Sequence, residues 1–345
     1  MCANLNLGFL IPNNPKGLQM QMNNQVVGLD FGGTKVEGVL FERSGLDLVP
    51  TGRSARFLVA DHSSLDSMLT ALQTGLGVAF ADVLNFGVAA AGRVDGLRVI
   101  HPDYPGGILD FEAATAGWVA APVTVMNDFA AEARCCVKAA VQASCIHICG
   151  GTTHPIDTTF AVVGPGTGLG HSVYYRRGRS FGAIAATEAG HSTLPLRNQL
   201  SMPLLGQLLA HETNEPDGVI VEAVLSGRGL AFLRRYFGEE NVDPMAPLSE
   251  ADLSPHVRRE FGYLLGLQAA NFVVSTGAWG GLYLSGGVLK RSPWLVVGNP
   301  AFAEGFHSVN RHREAMSKMP VWLITEPSSG AIGAALQSIS EVVVL

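Results

Sequence analysis

Apolar residues follow two patterns along this chain, short β-type runs and longer runs at helical spacing. The first two β-type runs flank a pair of glycines within residues 26–41, which predicts a β-hairpin. Apolar side chains then recur at helical spacing over residues 64–76, which predicts a helix with one core face. Strands that alternate with helices in this way indicate an α/β protein.

The same two patterns predict most of the remaining elements. We expect strands over residues 85–91, 146–150, 158–163, 173–175, 280–285 and 320–325. We expect helices over residues 128–143, 204–211, 219–225, 230–237 and 257–275, and a small-residue helix that begins at residue 328. Residues 99–110 contain prolines and a glycine pair, so we interpret them as a loop.

The first glycine turn combines a carboxylate with a possible anion site. Asp30 lies at the mouth of the predicted hairpin, and Gly32, Gly33 and Thr34 form its turn. Glycines leave the backbone amides open to an anion, so this turn is suited to binding phosphate, with Thr34 as an additional donor. A plain hairpin is the alternative, but Asp-x-Gly-Gly-Thr between two strands is more specific than a Gly-Gly turn alone.

A second glycine turn repeats this arrangement more than a hundred residues later. Residues 163–170 read VGPGTGLG and lie between two β-type runs. They lack the spacing of a dinucleotide-binding turn and the Lys-Ser/Thr ending of a P-loop. Two such hairpins indicate two related lobes, each of which presents a turn to phosphate. A third turn at Gly286 and Gly287 follows another strand, where a ribose or base could approach the backbone closely.

Asn127 and Asp128 lie where an apolar strand pattern gives way to an alanine-rich helix. Both residue types are good helix N-caps, so capping is the simpler interpretation. Ligands of open α/β folds, however, bind beyond the carboxyl ends of strands. The stretch is therefore also a candidate for a ligand site.

Three further polar residues are candidate ligand-binding groups. Glu188 and His191 are three residues apart, and Glu222 lies among apolar neighbours. No cysteine follows Cys149, which makes a zinc site at Glu188 and His191 unfavourable. His191 is either a structural residue or a hydroxyl binder, and Glu222 is expected on an exposed helix face.

Composition narrows the class of protein. A chain of 345 residues is long enough for two lobes, and its net charge of −6 argues against binding to nucleic acid or an anionic membrane. The five cysteines include an adjacent pair but no C-x-x-C, which indicates reduced thiols and a cytoplasmic protein. No uninterrupted run of eighteen apolar residues occurs, so no membrane span is predicted.

Six segments in order resemble the bacterial glucokinases, a family of the actin/hexokinase/heat-shock-protein ATPase fold that is related to the ROK sugar kinases. They are LDFGGTK (29–35), VMNDFAAEA (125–133), VGPGTGLG (163–170), TEAGH (187–191), VEAVLSGRGL (221–230) and LYLSGGVL (282–289). The resemblance extends over residues 26–336. It implies an α/β, two-lobed, ribonuclease H-like fold with a cleft between a small and a large domain.

The resemblance also implies a domain division and an activity. The small domain would comprise residues 25–127 and a C-terminal helix over 327–345, the large domain residues 128–326, and residues 1–24 a mobile extension. The activity would be phosphorylation of the 6-hydroxyl of a hexose, with D-glucose and ATP as substrates and Mg²⁺ as cofactor. The protein would act as a homodimer in the cytoplasm.

The resemblance assigns each candidate residue a role. Asp128 would be the general base, and Asp30 would organise Mg²⁺ through water. Asn127, Glu188, His191 and Glu222 would bind the sugar hydroxyls. The nucleotide and its phosphates would contact the three glycine turns, formed by Gly32, Gly33, Thr34, Gly166, Thr167, Gly168, Gly286 and Gly287.

Alternatives remain within and outside this family. Mannose or an N-acetylated amino sugar could be the substrate, since the loop at residues 103–110 does not fix the preference. The cysteine-rich zinc segment of the ROK group is lacking after Gly190-His191, which favours the zinc-free glucokinases. A non-catalytic sugar-sensing regulator is the alternative from another class, but it would be expected to lack the acidic base or to carry a helix-turn-helix.

Overall fold

A computed structural model describes residues 24–101, 104–117, 122–155, 157–177, 181–195, 203, 207–208, 219–239, 249–340 and 343–344. The strands are β1 (Gln25–Phe31), β2 (Lys35–Ser44), β3 (Asp47–Leu58), β4 (Asn85–Ala90), β5 (Arg93–Asp95), β6 (Arg98–Ile100), β7 (Ile108–Asp110), β8 (Val123–Asn127), β9 (Ile146–Cys149), β10 (Phe160–Pro165), β11 (Leu169–Arg177), β12 (Phe181–Thr187), β13 (Leu282–Leu284), β14 (Val321–Leu323) and β15 (Val343–Val344).

The α-helices with described ends are α1 (Leu65–Leu76), α2 (Phe111–Ala114), α3 (Asp128–Cys135), α4 (Ala139–Ser144), α5 (Gly227–Tyr236), α6 (Pro255–Thr276), α7 (Gly287–Arg291), α8 (Pro300–Phe306), α9 (Arg313–Lys318) and α10 (Ser329–Ser338). Short 3₁₀ turns connect several of these elements. Ser64 caps the amino end of α1, and Gly77 ends that helix in the left-handed conformation, as expected for a helix over 64–76.

The first part of the chain forms a five-stranded sheet in the order β3-β2-β1-β4-β8. β1 and β2 form the predicted hairpin, in which Asp30 lies opposite Glu37. β4 is parallel to β1, and β8 is parallel to β4. Because parallel strands end at the same edge of a sheet, Asp30 and Asn127 lie on one edge.

The second large sheet has seven strands in the order β15-β12-β11-β10-β13-β14-β9. β10 and β11 form the second predicted hairpin, and β13 runs parallel to β10. The two glycine turns that follow β10 and β13 are therefore neighbours. A Cβ atom added to Gly164 would lie 2.5 Å from the Ser285 carbonyl oxygen, so glycine is needed for this close approach.

The helices α3 and α10 pack between the two large sheets, in a core that contains residues of both. Small residues allow the tight packing predicted for α10. A Cβ atom on Gly28 or Gly87 would lie 2.0 or 2.1 Å from a carbonyl oxygen of α10. Phe129 of α3 in turn lies against Gly170 of the seven-stranded sheet. The catalytic candidate Asp128 is thus on a helix in contact with both sheets.

Two expected elements in the first half of the chain differ in the structure. Residues 99–110 are not simply a loop, because β6 and β7 pair with each other and with β5 in a small sheet. The buried side chains of Val99 and Leu109 face each other across β6 and β7, which accounts for the strands. The helix expected over 128–143 is interrupted, since Lys138 adopts an extended conformation between α3 and α4.

Two further expectations concern the second half of the chain. The helix expected over 219–225 is only a 3₁₀ turn at Val221–Ala223. The C-terminal helix expected over 327–345 ends at Ser338, and β15 pairs with β12 of the seven-stranded sheet. Most of the helix expected over 204–211, and the extension expected over 1–24 except for Asn24, lie outside the described residues. Among the described helices, none has the length and apolarity needed to cross a membrane.

Candidate active site

Asp30 is the next-to-last residue of β1, just before the first glycine turn, in which Gly32, Gly33 and Thr34 connect β1 to β2. The Gly32 amide donates to the Lys35 carbonyl oxygen at 2.9 Å and closes this turn. The Asp30 carboxylate lies against Gly330 at the start of α10, where a Cβ atom would be 2.4 Å from Oδ2.

The pKa of Asp30 is raised to about 7, mainly because burial disfavours the charged form. Repulsion from the nearby Asp128 and Glu132 carboxylates adds to this effect, and the Lys290 ammonium opposes it. A cation bound next to Asp30 would therefore stabilise its charged form.

Asn127 is the N-cap of α3, as its residue type predicts. Its Oδ1 accepts the Phe129 amide at 2.9 Å and the Ala130 amide at 3.3 Å, while its Nδ2 lies 3.4 Å from the Gly92 carbonyl oxygen. The side chain remains partly exposed. Capping and ligand binding are therefore compatible at this position.

Asp128 is the first residue of α3, and its Oδ1 accepts the Phe129 amide at 2.9 Å. Burial raises the pKa of Asp128 to about 6, although the amide of Phe129 favours the charged form. The carboxylates of Glu132 and Glu188 raise it further. Since Asp128 also acts on Asp30, it lies within electrostatic reach of both the first glycine turn and the Glu188 segment.

Glu132 and Lys290 form a buried ion pair that the sequence analysis missed. Lys290 Nζ lies 3.0 Å from Glu132 Oε1, and only 18% and 10% of the two side chains are exposed. Ser285 and Ser329 also donate to Glu132, at 2.9 and 2.7 Å. Burial lowers the pKa of Lys290, but attraction to Glu132 outweighs it and raises that pKa. The position of Glu132 four residues after Asp128 was the available sequence signal, because such residues share a helix face.

The second glycine turn, with Gly166, Thr167 and Gly168, packs against the third. The Gly166 amide donates to the Gly168 carbonyl oxygen at 2.7 Å. Gly286 has φ of 90° and lies so close to Pro165 that a Cβ atom would be 2.4 Å from the Pro165 carbonyl oxygen. Only glycine fits these requirements, and Gly287 then begins α7.

Glu188, His191 and Glu222 come together although 34 residues separate the first from the last. His191 Nδ1 lies 3.3 Å from Glu188 Oε2, and its Nε2 lies 3.8 Å from Glu222 Oε2. Glu222 is half-buried, with 19% of its side chain exposed, rather than fully exposed as expected. Its Oε2 accepts the Leu169 amide at 3.0 Å, which holds it next to the second glycine turn.

Tyr104 is another residue that the sequence analysis left without a role. It is buried, and its hydroxyl lies 2.6 Å from the Phe31 carbonyl oxygen and 3.1 Å from that of Ala91. It therefore joins the segment between β6 and β7 to the end of β1. No local sequence pattern indicates such a contact, because Phe31 lies 73 residues away.

Within the described part of the chain, no group of three or more His, Cys, Asp or Glu residues could hold a metal ion. Asp30 nevertheless fits a magnesium ion, which keeps several waters and uses one or two carboxylates together with substrate phosphates. Its raised pKa and its acidic neighbours mean that a divalent cation would relieve the repulsion between these carboxylates.

Comparisons with known proteins show the family of this chain. The glucokinase family model matches residues 27–340. The glucokinase of Marinobacter nauticus is 31% identical over 326 residues, which cover 89% of this chain and 94% of that protein. The chain belongs to the glucokinase family.

Solved glucokinases have the same fold. The glucokinase from an Antarctic psychrotroph has a TM-score of 0.73 at 24% identity, with 91% of this chain and 98% of that chain covered. The glucokinase from Balamuthia mandrillaris in complex with glucose has a TM-score of 0.73 at 16% identity, with 93% and 95% covered. The resemblance and the actin-like, two-lobed fold are therefore confirmed. The protein is an enzyme, a sugar kinase that phosphorylates glucose with ATP.

Proposed function

We propose that Asp128 is the general base that takes the proton from the 6-hydroxyl of glucose as phosphate is transferred. The observation that carries this proposal is the place of Asp128 at the start of α3, where its carboxylate accepts the Phe129 amide, lies within electrostatic reach of both Asp30 and Glu188, and has a pKa of about 6. A base works best when its pKa lies near the working pH. Phosphoryl transfer otherwise asks the protein mainly for positioning and for stabilisation of charge.

The sugar would be held by Asn127, Glu188, His191 and Glu222. Support comes from the cluster that the last three form and from the partly exposed amide of Asn127. Acceptors and donors fixed on neighbouring hydroxyls provide selectivity, because an analogue that lacks one hydroxyl leaves a polar group unpaired.

The nucleotide would lie between the glycine turns, with phosphates near Gly32, Gly33, Thr34, Gly166, Thr167 and Gly168, and adenosine near Gly286 and Gly287. Support comes from the adjacency of the second and third turns. Asp30 would hold Mg²⁺ through water. The ion, when bound, neutralises charge on the phosphates.

The proposed domain division would follow the two large sheets. Residues 25–127 with α10 would form the small domain, and residues 128–326 the large one. Support comes from the packing of α10 against β1 and β4. The contact of α3 with both sheets would place the catalytic base at the junction of the domains.

A substrate panel tests this assignment. With ATP and Mg²⁺, glucose is expected to be phosphorylated, whereas 6-deoxyglucose is expected to compete with glucose without being phosphorylated. Mannose and N-acetylglucosamine serve as alternative acceptors, and EDTA tests the need for the ion. Phosphorylation of 6-deoxyglucose would contradict the assignment of the 6-hydroxyl. Faster turnover of mannose or N-acetylglucosamine would change the proposed sugar, and sugar binding without any phosphorylation would favour a regulator.

We also propose that the enzyme is a cytoplasmic homodimer. Cys135, Cys136, Cys145 and Cys149 are free thiols, which suits a reducing compartment. The dimer rests on the family resemblance, and light scattering at micromolar concentration tests it. A mass of one chain, 36.4 kDa, would contradict it.

A further inference from the structure

A chain of buried hydrogen bonds lies beneath the proposed sugar site, and its two side chains have no role in the mechanism above. His171 is on β11 and Gln268 is on α6, and both are buried. We propose that His171 and Gln268 are positioning residues that fix Leu169 and Ala189, and through them Glu222, Glu188 and His191, in the geometry that binds glucose.

The hydrogen-bond geometry defines a single protonation pattern. His171 Nδ1 lies 3.3 Å from the Leu169 carbonyl oxygen, which can only accept, so Nδ1 carries the proton. Nε2 is then an acceptor, and the Gln268 amide nitrogen donates to it at 3.3 Å. The same nitrogen donates its second hydrogen to the Ala189 carbonyl oxygen at 3.4 Å. Each proton thus has one acceptor.

The neutral form of His171 fits this pattern. Burial lowers the pKa of His171 to about 4, while the bond to Leu169 opposes the shift. The imidazole is therefore uncharged at neutral pH and keeps one donor and one acceptor. Its ring also packs edge-on against Phe272, with centroids 4.7 Å apart.

Both backbone targets of this network adjoin residues of the proposed sugar site. The Leu169 amide donates to Glu222 Oε2 at 3.0 Å, so fixing its carbonyl fixes the peptide segment that orients that carboxylate. Ala189 lies between Glu188 and His191 in sequence. The two segments also touch, since a Cβ atom on Gly190 would lie 2.3 Å from the Leu169 carbonyl oxygen.

The burial of His171 and Gln268 restricts the network to one arrangement. A buried polar group without a partner is unfavourable by its full desolvation free energy. The network therefore favours the one arrangement in which every donor has an acceptor. Glu188 and His191, by contrast, have 77% and 57% of their side chains exposed. The buried amide and imidazole therefore anchor the backbone of the 3₁₀ turn at Ala189–His191, on which the exposed His191 side chain stands.

The inference rests on the proposed role of Glu222 in sugar binding, so the test measures both. Gln268→Met keeps the length of the side chain and removes its donors, and His171→Phe keeps the ring and its contact with Phe272. Gln337→Met, a buried glutamine on α10, is the matched control. Glu222→Ala reports on the proposed function itself. For each variant we would measure KM for glucose, KM for ATP, kcat and Tm.

The expected result is a rise in KM for glucose of about fivefold to tenfold in Gln268→Met and in His171→Phe, the equivalent of one hydrogen bond. KM for ATP should change by less than about twofold, and the double variant should be little worse than either single one because both act through one chain. Gln337→Met should leave KM for glucose unchanged.

Three outcomes would overturn the inference. KM for glucose could stay unchanged in a folded His171→Phe or Gln268→Met, KM for both substrates could rise equally, or Gln337→Met could match Gln268→Met. If one of these three outcomes occurs but Glu222→Ala still weakens glucose binding, the inference fails and the proposed sugar site stands. If Glu222→Ala leaves KM for glucose unchanged, the proposed sugar site fails.

Discussion

The site has two acidic regions, one around Asp30 and one around Glu188, and they differ in how far their carboxylates are exposed to solvent. On one side, burial raises the pKa of both Asp30 and Asp128, and the nearby Glu132 carboxylate raises both further, with the Lys290 ammonium close to Asp30. On the other side, 77% of the Glu188 side chain is exposed to solvent.

This difference shows what each side must do. The Asp30 side is organised before any substrate arrives, because buried charges are held only where partners and hydrogen bonds fix them. The Glu188 side is ordered from beneath, by backbone contacts and by the half-buried Glu222. Pre-organised charge suits phosphoryl transfer, whereas an open side suits entry and exit of a sugar.

The largest effect is expected from Asp128→Asn. Loss of a general base lowers rate by about 10²-fold to 10⁴-fold, and we expect a fall of that size in kcat with glucose binding retained. Asp66→Asn is the matched control, since Asp66 is an exposed aspartate in the first turn of α1. Steady-state kinetics and calorimetric glucose binding measure both properties. A kcat close to that of the wild type would remove Asp128 as the base.

The buried pair offers the next test. Lys290→Met leaves Glu132 buried without its cation, which should lower the free energy of unfolding by about 3–5 kcal/mol. Lys318→Met breaks the exposed pair with Glu314 and should cost less than about 1 kcal/mol.

Chemical denaturation measures these differences. Adding Glu132→Gln to Lys290→Met should recover part of the loss, because the uncompensated charge is then removed. Equal losses for Lys290→Met and Lys318→Met would mean that burial of the Glu132–Lys290 pair adds nothing to the cost of breaking it.

On the open side, Glu222→Ala and His191→Ala should weaken glucose binding while KM for ATP stays within about twofold. We expect KM for glucose to rise about tenfold for Glu222, which accepts a backbone amide and would bind a hydroxyl as a charged acceptor. The exposed Glu314→Ala is the control. Parallel losses of glucose and ATP binding would indicate a structural role instead.

The smallest expected effect is a pH-dependent difference in stability between Asp128→Asn and the wild type. The same carboxyl group should also set the pH dependence of kcat/KM. Because a base must be unprotonated and the pKa of Asp128 is about 6, kcat/KM for glucose should fall as pH drops through 6. A carboxyl with a raised pKa also lowers stability as pH rises through that value.

Asp128→Asn should therefore be more stable than the wild type at pH 7.5, by about 1 kcal/mol for a carboxylate half-open to water. The gain should vanish below the unfolded pKa of 3.8. Denaturation at several pH values measures this, and a gain that persists at pH 3 would show that desolvation of Asp128 is not its cause.

Local sequence patterns predicted much of the site. The glycine turns, the Asn127 cap and the hairpins depend on backbone conformations that few residues adopt, so residue type predicts them. The strand pairing of β6 and β7 was missed because each strand has only three residues, too few for a clear period. The same limit affected the 3₁₀ turn that carries Glu222.

The sequence by itself determined the order of elements, the turns and the candidate residues, because these depend on local propensity and spacing. Only the tertiary structure decided which groups meet. Glu132 joins Lys290 across 158 positions, and Gln268 reaches His171 across 97. Such contacts form when buried polar groups must find partners after the sheets and helices have packed, and no local pattern specifies which partner that will be.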